Sequence, residues 1–248
     1  MPIESHVEAI SYTQPVLTES LGQAIALLSS FEGDVFEIVA LSLRVSLTAV
    51  AIATVLGLPL GALVAVARFP ARGAVVVALN SFMGLPAVIV GVVVYLMLSR
   101  SGPLGQFGLL FTPSAMIVAQ TCLTLPLIAA LARQTIEDAW REHGETLRSL
   151  RVPLASRVRI LLWDSRFSLV AVVLAGLGRA ISEVGAVMIV GGNIDRATRV
   201  MTTAIALEIS KGDLALSIAL GIVLMTLVLV LNMVASGVRA AAMHRHGH

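Results

Sequence analysis

Residues 167–192 read FSLVAVVLAGLGRAISEVGAVMIVGG. The run exceeds the roughly 20 apolar residues that cross the hydrocarbon core of a bilayer. Its two charged residues, Arg179 and Glu183, stand four apart and so share one helix face. Working outward, four more stretches have this length and composition. Residues 39–67 are uncharged after Arg44, and residues 73–99, 113–132 and 214–238 are uncharged throughout. Five such runs predict an all-α, polytopic membrane protein with about five transmembrane helices. Residues 17–31, LTESLGQAIALLSSF, have apolar spacing but are too short and polar to cross. They read as a helix lying on the membrane surface.

Composition agrees. Of 248 residues, 57% are hydrophobic and 13% charged, with a mean hydropathy of +0.94. A soluble domain carries roughly 25% charged residues. The net charge of +2 gives no case for a nucleic-acid partner. The single cysteine, Cys122, excludes an internal disulfide framework. Residues 1–20 hold Glu4, Glu8 and Glu19 but no basic residue, so they do not read as a signal peptide.

The arginines set the expected orientation. Arg68 and Arg72 follow the first run, seven arginines lie in residues 133–166, and Arg239 and Arg245 lie in the tail. These alternate segments share one side and hold 11 of the 17 basic residues. Basic loops stay cytoplasmic, so the N-terminus is expected outside and the C-terminus in the cytoplasm. The chain divides accordingly into an extracytoplasmic arm, 1–34, a membrane domain, 35–240, with a cytoplasmic loop near 133–166, and a cytoplasmic tail, 241–248.

Proline interrupts three runs, at Pro59, Pro86 and Pro126. Each removes a backbone bond and favours a bend. In lipid the freed carbonyl needs a neighbour or a wet cavity. A charge near the bilayer centre costs about 2.5–3.5 kcal/mol on insertion scales, so Arg179 and Glu183 need an offset. Two readings stand: a clamp between helices, or side chains lining or gating a pathway.

The 133–166 segment is long for a loop in a compact bundle. Thr135 to Leu150 reads as helix, Pro153 breaks it, and 154–162 reads as a second short helix. Two short charged helices with a bend suit a docking element or a surface bound to anionic lipid.

The stretch Glu145-Thr146-Leu147-Arg148-Ser149-Leu150-Arg151-Val152, then Ile160-Leu161-Leu162, resembles the coupling loop of ATP-binding-cassette (ABC) importer permeases. That family's pattern is Glu-Ala-Ala, three residues, Gly, about nine residues, then Ile-x-Leu-Pro. Here Thr146 and Leu147 replace the alanines, Arg151 stands at the glycine, and Trp163 or Asp164 stands at the proline. Residues 178–194, GRAISEVGAVMIVGGNI, with 198–208, TRVMTTAIALE, and 210–213, SKGD, closely resemble the permease subunits of tungstate importers, relatives of the molybdate and sulfate permeases. Ser42-Leu43-Arg44-Val45-Ser46 and Gly57-Leu58-Pro59-Leu60-Gly61 resemble that family's first span.

The resemblance covers roughly residues 35–238. It implies the type I permease fold in a cell membrane, the inner one where there are two. It also implies oxyanion import by a homodimer, a separate ATP-binding subunit, and an extracytoplasmic substrate-binding protein. Glu145, Thr146, Leu147, Leu150, Arg151 and Val152 would contact the ATPase. Asn193 and residues 198–203 would lie at the outer mouth, making Arg179, Glu183 and Asn193 the candidates for pathway or gating roles. Molybdate or another oxyanion as cargo, and a secondary transporter working without an ATPase, are the alternatives. The sequence offers no catalytic residue, no metal-ligand set and no cofactor site. It has no Gly-x-x-x-x-Gly-Lys-[Ser/Thr] phosphate loop. The tail His244-Arg245-His246-Gly247-His248 reads as solvated.

Overall fold

The computed structural model describes residue 22 and residues 33–246, with side chains for 34–237. The expected surface helix over 17–31 and the N-terminal arm lie outside the described residues. The described chain is helical, without strands.

Helix α1, Gly33–Val66, is 34 residues long and continues through Pro59. It lies along α4, Pro113–Ser149, which continues through Pro126. Gly61 lets the two helices touch. A Cβ there would sit 2.9 Å from the Arg133 nitrogen and 3.0 Å from the Ala132 Cβ. Such close backbone approach is how apolar helices gain packing energy in lipid.

The expected span over 73–99 is broken. Helices α2, Arg72–Met83, and α3, Ala87–Leu98, meet at 99°. Pro86 opens α3, and the chain before a proline is held out of helical geometry, so Gly84-Leu85-Pro86 makes the corner. Each arm has 12 residues, about 18 Å at the usual rise, short of a full crossing.

Helix α4 begins with Thr112 as N-cap and Pro113 in the first turn. It does not stop where the charge begins. The helix of the third span continues through Arg133 to Ser149, so half of the expected loop extends that same helix. Helix α5, Leu154–Asp164, then turns 78° into α6, Arg166–Ile181.

The expected single span over 167–192 is also divided. Helix α6 ends at Ile181 and α7, Gly185–Gly191, restarts beyond a three-residue break. Helix α8, Met201–Lys211, was not foreseen, and α9, Leu214–His246, closes the fold. Three helices are long and apolar enough to cross a membrane, rising to five if α2 with α3 and α5 with α6 each count once.

Four apolar clusters hold the described residues together, the smallest of them Val64, Leu79, Ala129 and Ala130 between α1, α2 and α4. Ile128, Val172, Met201 and Leu220 join α4, α6, α8 and α9. Met116, Val45, Ala186 and Val190 join α4 and α1 to α7. Ile136 and Leu161 pin α5 beneath α4, beside Trp140. Outside them, Val55, Val77, Met225 and Met233 are each more than 60% exposed. A face this apolar suits lipid or another chain rather than water.

Candidate functional site

The break between α6 and α7 holds the charged pair. Arg179 Nη1 lies 3.5 Å from Glu183 Oε2. The helix ends between them, so the pair straddles the break. Glu183 is 4% exposed and its Oε1 accepts from Ala186 N–H at 3.2 Å, capping α7. The buried carboxylate thus has a guanidinium and a backbone donor to offset its desolvation. The Arg179 side chain is 44% exposed.

A helix that stops in apolar surroundings leaves carbonyls that must be bonded. Gln120 Nε2, from α4, donates to Ala180 O at 2.9 Å. Thr202 Oγ1, from α8, donates to Glu183 O at 2.8 Å. Both donors are buried. Neither was foreseen, because each lies far from the break in sequence. The polar Gln120 inside an apolar run was the available signal. Gly91 brings α3 against α7, since a Cβ there would lie 2.8 Å from the Ala186 Cα.

Beyond α7 the chain turns through Gly192 and Asn193, both with positive φ, at 70° and 49°. Asn193 Nδ2 donates to Thr203 O at 3.2 Å. Thr198 Oγ1 donates to Gly191 O at 2.6 Å and accepts from Ile194 N–H at 2.9 Å. Met201 N–H donates to Ser42 Oγ at 2.7 Å, tying α8 to α1. Thr198, Thr202 and Thr203 are buried. Asn193 and the threonines therefore form a bonded scaffold that holds the far end of α7.

At the opposite end of α4, residues 145–152 form a turn. Val152 N–H donates to Leu147 O at 3.1 Å and Arg151 N–H to Arg148 O at 2.9 Å. This crossed pair is the Schellman closure, whose penultimate residue takes left-handed geometry. Arg151 takes it, with φ +53°. That is the position where the coupling-loop pattern has glycine. Leu147 is buried and Val152 packs near it. Glu145, Thr146, Leu150 and Arg151 face outward. They share this end with exposed Leu150, Leu154, Ile160 and Trp163, the last 71% exposed. The structure holds the six coupling candidates at the end of α4, and the following helix α5 exposes Leu154, Ile160 and Trp163. Among the described residues no cluster of metal-ligand side chains occurs.

No family model matches the chain. A probable anion ABC transporter permease protein of Haloferax volcanii is 40% identical over 215 residues, 85% of this chain and 93% of the relative. The tungstate uptake system permease protein TupB of Peptoclostridium acidaminophilum is 41% identical over 218 residues, 88% of this chain and 96% of the relative. The molybdenum transport system permease protein ModB of Azotobacter vinelandii is 27% identical over 184 residues. With the helical membrane architecture, this similarity shows that the chain belongs to the ABC transporter permeases, in the group that includes anion and tungstate permease proteins.

Proposed function

We propose that this chain is the membrane-spanning subunit of an ATP-driven oxyanion importer, with tungstate as cargo. The observation that carries the reading is the 41% identity extending over 96% of a tungstate permease. Two copies would enclose the pathway, with the arginine-rich end in the cytoplasm and the N-terminus outside. A substrate-binding protein would deliver the anion from outside. An ATP-binding subunit would dock on the turn at residues 145–152 and on the Leu150, Leu154, Ile160 and Trp163 patch.

The chain's own residues then do mechanical work. Helix α4 joins the docking turn to the core as one rigid rod, so a push at Ser149 reaches Gln120. Gln120 holds the carbonyl of Ala180 at the α6–α7 break, where Arg179 presents its half-exposed guanidinium. Two packings of such a break, selected by the state of the ATPase, would open the pathway to alternate sides. Glu183 keeps Arg179 from holding an anion too strongly.

The test is purification of the tagged chain from its native membrane. An ATP-binding subunit is expected to copurify, and Glu145→Ala with Leu150→Asp to release it. A chain that purifies alone and carries tungstate unaided would refute the reading.

A further inference from the structure

A cavity of about 550 Å³ opens between the end of α1, the start of α2 and the middle of α4. Five arginines line it, Arg68, Arg72, Arg133, Arg141 and Arg148, with one carboxylate, Glu137. Arg72 and Arg133 both bond that carboxylate, Arg133 at 2.6 Å. Arg72 also donates through Nε to Val64 O at 2.8 Å, at the open end of α1. Arg141 pairs with Asp138, which lies off the cavity, at 3.3 Å, and both are well exposed. Arg148 stacks 4.9 Å from the Trp140 ring, itself part of the wall. Arg68 makes no ion pair among the described residues.

The lining's charge asks for an anion: five guanidiniums stand against the single carboxylate of Glu137, which Arg72 and Arg133 already share. Guanidinium forks match the paired oxygens of a tetrahedral oxyanion, each giving parallel charge-assisted bonds.

We propose that this cavity binds one tetrahedral oxyanion of the phosphate type, independent of the pathway at the α6–α7 break. Glu137 holds Arg72 and Arg133 in place, and Arg68, Arg141 and Arg148 close around the anion. The oxyanion is either a free ion or the phosphate of a lipid headgroup reaching in beside the ends of α1 and α2.

The chain has two tryptophans, Trp140 and Trp163, so Trp163→Phe leaves Trp140 as the sole reporter. The full chain, reconstituted in neutral phosphatidylcholine discs, is titrated with inorganic phosphate, then tungstate, and compared with discs containing phosphatidylglycerol. A saturable change in Trp140 emission is expected for at least one of the three. Arg68→Gln with Arg141→Gln should raise half-saturation at least about tenfold, the loss of one to two charge-assisted bonds. The lysine versions, which keep the charge but lose the fork, should fall between wild type and the glutamine versions. Neither side chain ties two helices together, and Arg68→Gln alone should shift binding in the same direction. A response to soluble anion in neutral discs assigns the site to a free ion. A response only to phosphatidylglycerol assigns it to a headgroup. No response to any of the three, or unchanged half-saturation in the glutamine variants, overturns the proposal.

Discussion

The chain interrupts its helices at two places that differ in where the backbone finds its partners. At residues 182–184 Glu183 is buried between exposed Ser182 and Val184, and the carbonyls of Ala180 and Glu183 are bonded by buried Gln120 and Thr202 from distant helices. At residues 150–153 the turn is exposed and closes on its own backbone, Arg151 to Arg148 and Val152 to Leu147. An apolar surrounding supplies no water to bond a freed carbonyl, so the carbonyls beside Glu183 recruit remote side chains. A turn beside water can rely on local geometry.

The contrast predicts unequal costs. Glu183→Ala removes the α7 cap and the partner of Arg179 together, and should cost about 3 kcal/mol. A denaturant titration of the purified chain in detergent reads this. Gln120→Leu leaves Ala180 O with the Glu183 N–H alone, at 3.3 Å, and should cost about 1–2 kcal/mol. Thr202→Val acts alike on Glu183 O. A cost near zero for both would show that the break does not depend on its remote donors. At the exposed turn the sign reverses. Arg151→Gly relieves left-handed geometry and should gain about 0.5–1 kcal/mol. Glu145→Ala, outward-facing, should change stability by less than about 0.5 kcal/mol. It should nevertheless lower ATP-dependent uptake. Wild-type uptake would remove Glu145 from the docking role.

The same contrast explains what the sequence made legible. Apolar length marked the three helices long enough to cross, α1, α4 and α9, because lipid acts on composition residue by residue. The turn that closes α4 was legible because its determinants, Glu145 to Pro153, are contiguous. The substitution of arginine for glycine at 151 was visible as a departure, and the left-handed φ there shows that the turn survives it. The break at 182–184 was hidden in a run of unbroken apolar length, since Gln120 and Thr202 stabilise it from afar. The corner at Pro86 was signalled by the proline, but Pro59 and Pro126 carry the same signal within continuous helices. The proline alone does not separate them. The charge at Arg133 does not end the helix. It marks where charged side chains begin, while the helix keeps its own backbone bonds to Ser149.

The cargo and the energy source together form the central claim. The most direct measurement is tungstate uptake into proteoliposomes holding this chain with its ATP-binding subunit and tungstate-loaded binding protein. The account predicts uptake that requires ATP hydrolysis and ceases with a non-hydrolysable analogue. Uptake that continues with the analogue, or that an ion gradient drives in the chain alone, would contradict it.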